Sequence, residues 1–342
     1  MATDDPQLPT NDQQIGSKTG VKTGPKIGLA LGSGAARGWS HIGVLRALRE
    51  IGLRPDVITG CSAGALVGGA YLLGVLKDFE EWAQSLSAIG AARKFAVNFS
   101  HGGMVDPSAA FDAFRYADQN IEDLPIPFGA TATDVGSGQS VWITTGSVLD
   151  AARASSAIPM VIQAAAQDHE YGRRWLIDGA ASDPVPVALA RSLGAEKVIA
   201  VDLNALSRTI ERFNAPKTKA VVVRPSTNEV QNSRLPQSVS KLIGDTREFV
   251  DTKLARVKAE NRSKPHFFET AIATMDIVQM QLAELHARID QPEVRIHPNM
   301  KGLPPIAFHK SEEFIAVGYE ATMGQKDKIL ALMNEDAVDA SV

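Results

Sequence analysis

Cysteine is almost missing from this chain, with one residue, Cys61, in 342. No internal disulfide can form, which fits a reducing compartment. Cationic charge is not in excess either. Lys and Arg number 35 against 39 Asp and Glu, for a net charge of −4 and a pI near 6.0. Nucleic-acid-binding domains carry clustered basic charge, so no nucleic acid is expected as a partner. No apolar run reaches the roughly 20 residues of a spanning helix. The most apolar stretch, Cys61–Leu76, has 16 residues and follows a turn motif. It reads as a buried helix, and no transmembrane segment is expected. Residues 1–25 lack the apolar core of a signal peptide. They are polar, rich in Asp, Gln, Thr, Lys and Gly, and read as a disordered tail. A cytoplasmic location is the expectation. No internal repeat is visible, and no low-complexity run outside the tail.

What is present is an ordinary globular composition, 44% apolar and 22% charged, in a chain long enough to bury a large core without staples. Lys26–Leu31 is a short apolar run, read as a buried strand. The glycine-rich Gly32–Gly38 follows, then a helical pattern over Trp39–Ile51 with Ile42, Leu45, Leu48 and Ile51 on one side. Pro55–Thr59 reads as the second strand, and Gly60–Gly64 turns into the apolar helix. Strand–helix–strand–helix predicts a parallel sheet with crossover helices. Further on, the spacing predicts an amphipathic helix over Asp78–Ser87, a surface loop over Ala91–Met104 and a helix over Pro107–Tyr116. Phe128–Val135 and Gln139–Thr144 flank Gly136–Gly138 as a hairpin. Helices are expected over Val148–Ser156 and Pro184–Leu193, and strands over Arg174–Ile177, Lys197–Leu203 and Lys219–Arg224. The remainder reads as helices over Val239–Lys258, Phe267–Ile289 and Glu312–Met333, with a strand over Glu293–His297.

Gly60-Cys61-Ser62-Ala63-Gly64 matches G-x-S-x-G in the context that motif requires. A serine projecting from a sheet edge sits on a tight strand-to-helix turn, where the residues two before and two after crowd each other and must be small. Ser62 would then stand at a helix N-terminus, where the dipole favours developing negative charge. Cys61, at the first x, should point sideways into packing. The loop Gly32-Ser33-Gly34-Ala35-Ala36-Arg37-Gly38 also follows a strand and opens a helix. Its glycine spacing is one residue too long for the dinucleotide fingerprint, and no acidic residue ends the second strand. Gly-Lys-Ser/Thr is absent, which excludes a Walker A loop. The other reading is an oxyanion hole made of backbone N–H groups, with Arg37 adding positive charge.

A serine hydroxyl needs a base. His266, His286, His297 and His309 lie in charged helices or beside proline, and His286 reads as a solvated helix position. His41 reads as a packing or capping residue. A carboxylate is the alternative. Asp178-Gly179-Ala180 ends a strand, where the ligand crevice of an α/β sheet lies. Asp56, Asp134 and Asp202 also fall near strand ends, so residue chemistry leaves all four open. A carboxylate is a poor base in water and would need a dry, enclosed site.

Taken together, LALGSGAARGWSHIGVLRAL from Leu29 to Leu48, the GCSAG turn, ATDV at Ala132–Val135, ASSAIP at Ala154–Pro159 and DGA at Asp178–Ala180 followed by DPVP resemble the bacterial patatin-like phospholipases, close to the RssA-like group. The likeness covers about residues 27–205. It implies a three-layer α/β/α sandwich with a mostly parallel central sheet and extra C-terminal helices. Domains would then be the tail 1–25, a catalytic domain 26–225, and a helical extension 226–342 packed on it. The resemblance implies a dyad without histidine, with Ser62 as nucleophile and Asp178 as base. It places oxyanion donors in the Gly32–Gly38 loop and requires no metal or cofactor. Ser33 and Ala35 replace glycines often seen in that loop, and Ala180 replaces the second glycine of D-G-G. The implied activity is lipid acyl hydrolysis, with water cleaving a fatty acyl ester through an acyl-Ser62 intermediate. Lipid or another acyl ester is the expected partner, and lipid access would bring peripheral contact with a membrane, for which Ala91–Met104 is the candidate segment. Two other readings use the same features: acyl transfer to an acceptor other than water, and a regulatory or scaffold protein acting by partner binding through its C-terminal helices.

Overall fold

The computed structural model describes residues 24–85, 111, 114–158, 162–169, 172–204 and 267–334. The 1–25 tail apart from Gly24 and Pro25, the Ala91–Met104 loop, most of the Pro107–Tyr116 helix, the Lys219–Arg224 strand and the Val239–Lys258 helix lie outside them. Described residues from Gly24 to Asn204 and from Val278 to Asn334 belong to one compact unit; Thr209–Ile277 belong to a second.

Eight strands form one sheet: β1 Ile27–Leu31, β2 Val57–Cys61, β3 Phe128–Asp134, β4 Ser140–Ile143, β5 Ala165–His169, β6 Gly172–Asp178, β7 Lys197–Val201 and β8 Val294–Ile296. The paired path runs β5-β6-β3-β2-β1-β7-β8, with β4 paired to β3 beside it. From β3 to β8 the pairs are parallel; β3–β4, β3–β6 and β5–β6 are antiparallel. The helices of the described residues are α1 Ser40–Ile51, α2 Ala63–Leu72, α3 Leu76–Gln84, α4 Val148–Ser155, α5 Val187–Ser192, α6 Phe267–Ile289, α7 Ser311–Met323 and α8 Lys326–Asn334.

Strand alternation sorts the core into two layers. Leu29 and Leu31 of β1, Ile58 of β2, and Ile199 and Val201 of β7 join a large cluster with α1, α2, α3, α4, α7 and α8. The intervening Ala30, Val57, Val198 and Ala200 join a thinner cluster of small residues with Val187 and Ala190 of α5 and Ala283 of α6. Each face is thus apolar, as strands buried on both sides require. The result is helices on both sides of a mixed sheet, a three-layer α/β/α sandwich. On the outer side α7 crosses α1 where Gly43 and Gly318 face each other's helix; a Cβ on Gly43 would lie 1.9 Å from Ile315 O, and one on Gly318 2.0 Å from Ser40 O. No helix among the described residues is long and apolar enough to cross a membrane.

Four expectations about elements change. The apolar run from Cys61 ends its helix at Leu72, and Gly74 at φ 74 separates it from α3. The expected helix from Pro184 starts only at Val187, after Pro186. Glu312–Met333 is two helices, parted near Gly324. Strand β5, sequence AAQDH, was not expected, because it is polar and lacks alternation.

Candidate active site

Three strand ends make the site. β1 ends at Leu31 and releases the glycine loop; its parallel neighbour β2 ends at Cys61 and releases the elbow. The third end comes from register. β4 pairs with Ala130–Thr133 of β3, β2 with Phe128–Thr131, and β6 with Ala132–Asp134. A strand has only two edges, so β4 takes one and β2 and β6 share the other. Cys61 faces Thr131 and Asp178 faces Ala132. Because β2 is parallel and β6 antiparallel to β3, their C-terminal ends meet head to head. Ser62, one residue past β2, therefore arrives at Asp178.

The Ser62 hydroxyl donates to Asp178 Oδ2 at 2.7 Å. Ser62 sits at φ 54 and ψ −119, left-handed backbone that costs a non-glycine residue about 1–3 kcal/mol. Neighbouring glycines make this turn feasible. A Cβ on Gly60 would lie 2.4 Å from Ala65 N and 2.6 Å from the Gly64 carbonyl carbon, and one on Gly64 2.1 Å from Leu31 O. The Ser62 N–H donates to Ser155 Oγ at 2.7 Å, and that hydroxyl donates to Thr131 O at 2.6 Å. Ser155 thus pins the elbow to β3 from the end of α4. Sequence patterning gave Ser155 no role of its own; the only signal was its place in the ASSAIP segment.

Asp178 is buried, and burial raises its carboxyl to about 6, against the lowering effect of the Ala180 N–H on Oδ1 and of the Ser62 hydroxyl. Its backbone is fixed by its N–H to Ala157 O at 2.9 Å and by Thr133 Oγ1 donating to its carbonyl at 2.9 Å. Gly179 allows the chain to pass close over β3, since a Cβ there would lie 2.2 Å from Thr131 O.

The other aspartates are engaged elsewhere. Asp56 Oδ2 accepts from Ile27 N–H, Asp134, half-buried at the end of β3, accepts from the Gly136 N–H and the Ser137 hydroxyl of the hairpin turn, and Asp202 meets Arg295 and the Asn204 N–H. Of the histidines, His266 lies outside the described residues, His297 Nδ1 is 3.7 Å from Asp202 Oδ2, and none has a hydrogen bond to Ser62 among the described residues. His286 is not a solvated helix position; it is half-buried with Nδ1 3.3 Å from Asp183 Oδ1. His41 is fully buried with Nε2 2.7 Å from Gly32 O, and burial lowers it to about 4, so it is neutral and donates that proton. It thereby anchors the glycine loop. Cys61 is buried, and burial with the nearby Asp178 charge raises its thiol well above the usual range, which disfavours a thiolate.

The glycine loop packs on the elbow. A Cβ on Gly38 would lie 2.3 Å from Ala63 Cβ. Most loop N–H groups are already committed: Gly32 to Val201 O, Ser33 to Pro184 O, Ala36 to Pro305 O and Arg37 to Gly34 O. Gly38 lies within a 3-10 turn, Ala35–Trp39. Among the described residues, Gly34 and Ala35 are the loop positions whose N–H groups have no acceptor. Of the loop positions expected to supply oxyanion donors, Gly32, Ser33, Gly34, Ala35, Ala36, Arg37 and Gly38, these are the two with uncommitted N–H groups. Ala35, at φ 51, occupies backbone that favours glycine. Arg37 is buried and its Nε donates to Gly34 O at 3.2 Å, so it shapes the loop from within.

Comparison with known proteins agrees on the region. The family model described as patatin-like phospholipase matches residues 29–191. A protein of Mycobacterium tuberculosis described as an uncharacterised NTE family protein is 44% identical over 178 residues, 52% of this chain and 48% of that protein. The human patatin-like phospholipase domain-containing protein 6 is 31% identical over 188 residues, 53% of this chain and 14% of its own length. A lysophospholipase of Mycosarcoma maydis is 30% identical over 198 residues, 54% of this chain and 10% of its own length. The match thus spans about half of the mycobacterial relative and a small part of the other two.

Proposed function

We propose, on the premise that residues 29–191 are a patatin-like phospholipase domain, that this chain is a serine lipid acyl hydrolase working through Ser62 and Asp178. The observation that carries the reading is the 2.7 Å hydrogen bond from a strained, buried serine hydroxyl to a buried carboxylate. In this mechanism Ser62 Oγ attacks the carbonyl carbon of a fatty acyl ester while its proton passes to Asp178 Oδ2. The Gly34 and Ala35 N–H groups receive the oxyanion, aided by the N-terminus of α2. Collapse breaks the ester bond, and Asp178 returns the proton to the leaving alcohol. Water then attacks the acyl-Ser62 carbonyl, giving its proton to Asp178; the acyl–Ser62 bond breaks as Asp178 passes that proton to Ser62 Oγ, and the fatty acid leaves.

The raised carboxyl of Asp178 supports its role. A base with pKa near 6 is still ionised at neutral pH, yet it accepts a proton more readily than an ordinary aspartate. Phospholipid, lysophospholipid and neutral lipid esters all contain the bond this site would cleave. Ser62→Ala and Asp178→Asn should each abolish hydrolysis of a lipid panel and of short nitrophenyl esters. Ser62→Ala should also abolish labelling by a fluorophosphonate. Undiminished hydrolysis by pure Ser62→Ala protein would refute the reading.

A further inference from the structure

The family match ends at residue 191, yet a helix beyond it reaches the site twice. Gln279 of α6 accepts through Oε1 from the Ser33 hydroxyl at 3.0 Å and from Asn204 Nδ2 at 3.4 Å. Two turns later His286 meets Asp183 at 3.3 Å. Seven residues advance a helix by about 10.5 Å and return it to nearly the same side. One helix face therefore touches two separate loops. Both residues lie in the same compact unit as Ser62 and Asp178.

The two loops are joined at the point between these contacts. Ser33 N–H donates to Pro184 O at 2.9 Å. Ser33 immediately precedes Gly34, a candidate oxyanion donor. Pro184 follows Asp183, which is tied back to Asp178's turn by its N–H to Gly179 O at 2.8 Å and to β3 by Thr131 Oγ1 on its carbonyl. Asp183 is itself buried, and a buried carboxylate is costly unless paired. Among the described residues, His286 is the side chain that hydrogen-bonds its carboxylate. Asp183 also pulls His286 toward the protonated form, which tightens the pair. The helix is seated firmly enough to act as a support: Ala283 packs in the small-residue core cluster, and Glu284 pairs with Arg295, which also reaches Asp202.

We infer that α6 braces the oxyanion loop and the Asp178 turn against each other, with Gln279 and His286 as positioning residues for the chemistry at Ser62. The inference rests on the hydrolase reading for its consequence, and on the contacts alone for the brace. Misplacing catalytic groups by about 1 Å can cost roughly 100-fold in rate, while neither residue touches the ester.

The test uses the full chain. Gln279→Leu with His286→Ala should lower kcat on a soluble nitrophenyl ester by about 10–100-fold, with KM within about threefold. Amide hydrogen exchange should quicken in peptides covering both 32–39 and 178–186. Gln279→Glu keeps the acceptor, and His286→Asn keeps a donor toward Asp183; each should retain most of the rate, which a merely space-filling role would not require. Unchanged exchange in both loops overturns the brace whatever the activity, and a kcat within twofold of wild type overturns the positioning role. If the double variant does not fold, the single variants carry the same comparison. If wild-type hydrolysis is unaffected by Ser62→Ala, the hydrolase reading falls, and exchange alone decides the brace.

Discussion

Replacing Asp178 by Asn should stabilise the protein while destroying its activity. The carboxyl is buried and raised from 3.8 to about 6. Asp178 is thus an acid whose folded pKa exceeds its unfolded one, so the folded chain holds the proton more tightly. Its effect on stability is absent below about pH 4, grows unfavourably from pH 4 to 6, and is complete above 6. Two pKa units at about 1.4 kcal/mol each give a cost on the order of 3 kcal/mol at neutral pH. Asparagine approximates the protonated side chain: its Oδ1 can still accept from the Ala180 N–H, and its amide can donate to Ser62 Oγ. At about 2.1 cal/mol/K of unfolding entropy per residue, a chain of 342 residues shifts by roughly 1.5 °C per kcal/mol, so the variant should melt about 4 °C higher than wild type at pH 7.5. The assay is thermal or urea unfolding of both proteins at pH steps from 4 to 8, and the gap should close by pH 4. A variant no more stable than wild type at pH 7.5, or a gap independent of pH, would refute the claim that burial of this charge sets its pKa.

The same carboxyl sets the pH–rate curve: kcat/KM on a neutral ester should fall about tenfold per unit below an apparent pKa near 6, measured in initial rates from pH 4.5 to 8. Ala35→Gly should stabilise by about 0.5–1 kcal/mol, read as a shifted urea midpoint, because Ala35 holds φ 51 and glycine adopts it freely. Ser155→Ala should destabilise by about 2 kcal/mol or more and lower kcat, because it strands the buried Ser62 N–H and Thr131 carbonyl; equal urea midpoints would contradict this.

What the sequence made legible was local. The elbow could be read because the crowding of Gly60 and Gly64 is decided within five residues, and the glycine loop because a strand and a helix flank it directly. Short apolar runs also placed β1 and β7, the glycines of 136–138 placed the β3 hairpin, and a helical pattern placed α6. Strand β5 escaped because its residues are polar, and the break between α7 and α8 because one glycine interrupts an otherwise continuous apolar pattern. The proposed base was different in kind. Asp56, Asp134, Asp178 and Asp202 looked equivalent as chemistry, and only resemblance preferred one. The physical selection is made by register: Cys61 opposite Thr131 and Asp178 opposite Ala132 bring two strand ends together on one edge of β3. That pairing joins residues 116 positions apart, and no local periodicity encodes it. His286 was misread for the same reason. In its own helix it sits among Glu284, Arg288 and Asp290, which looks like a solvated face, but Asp183 approaches from 103 residues away. A titratable residue's role in this chain is therefore set by the partner that tertiary register brings to it. That makes the paired variants at Asp178 and His286 more informative than any substitution chosen from local pattern.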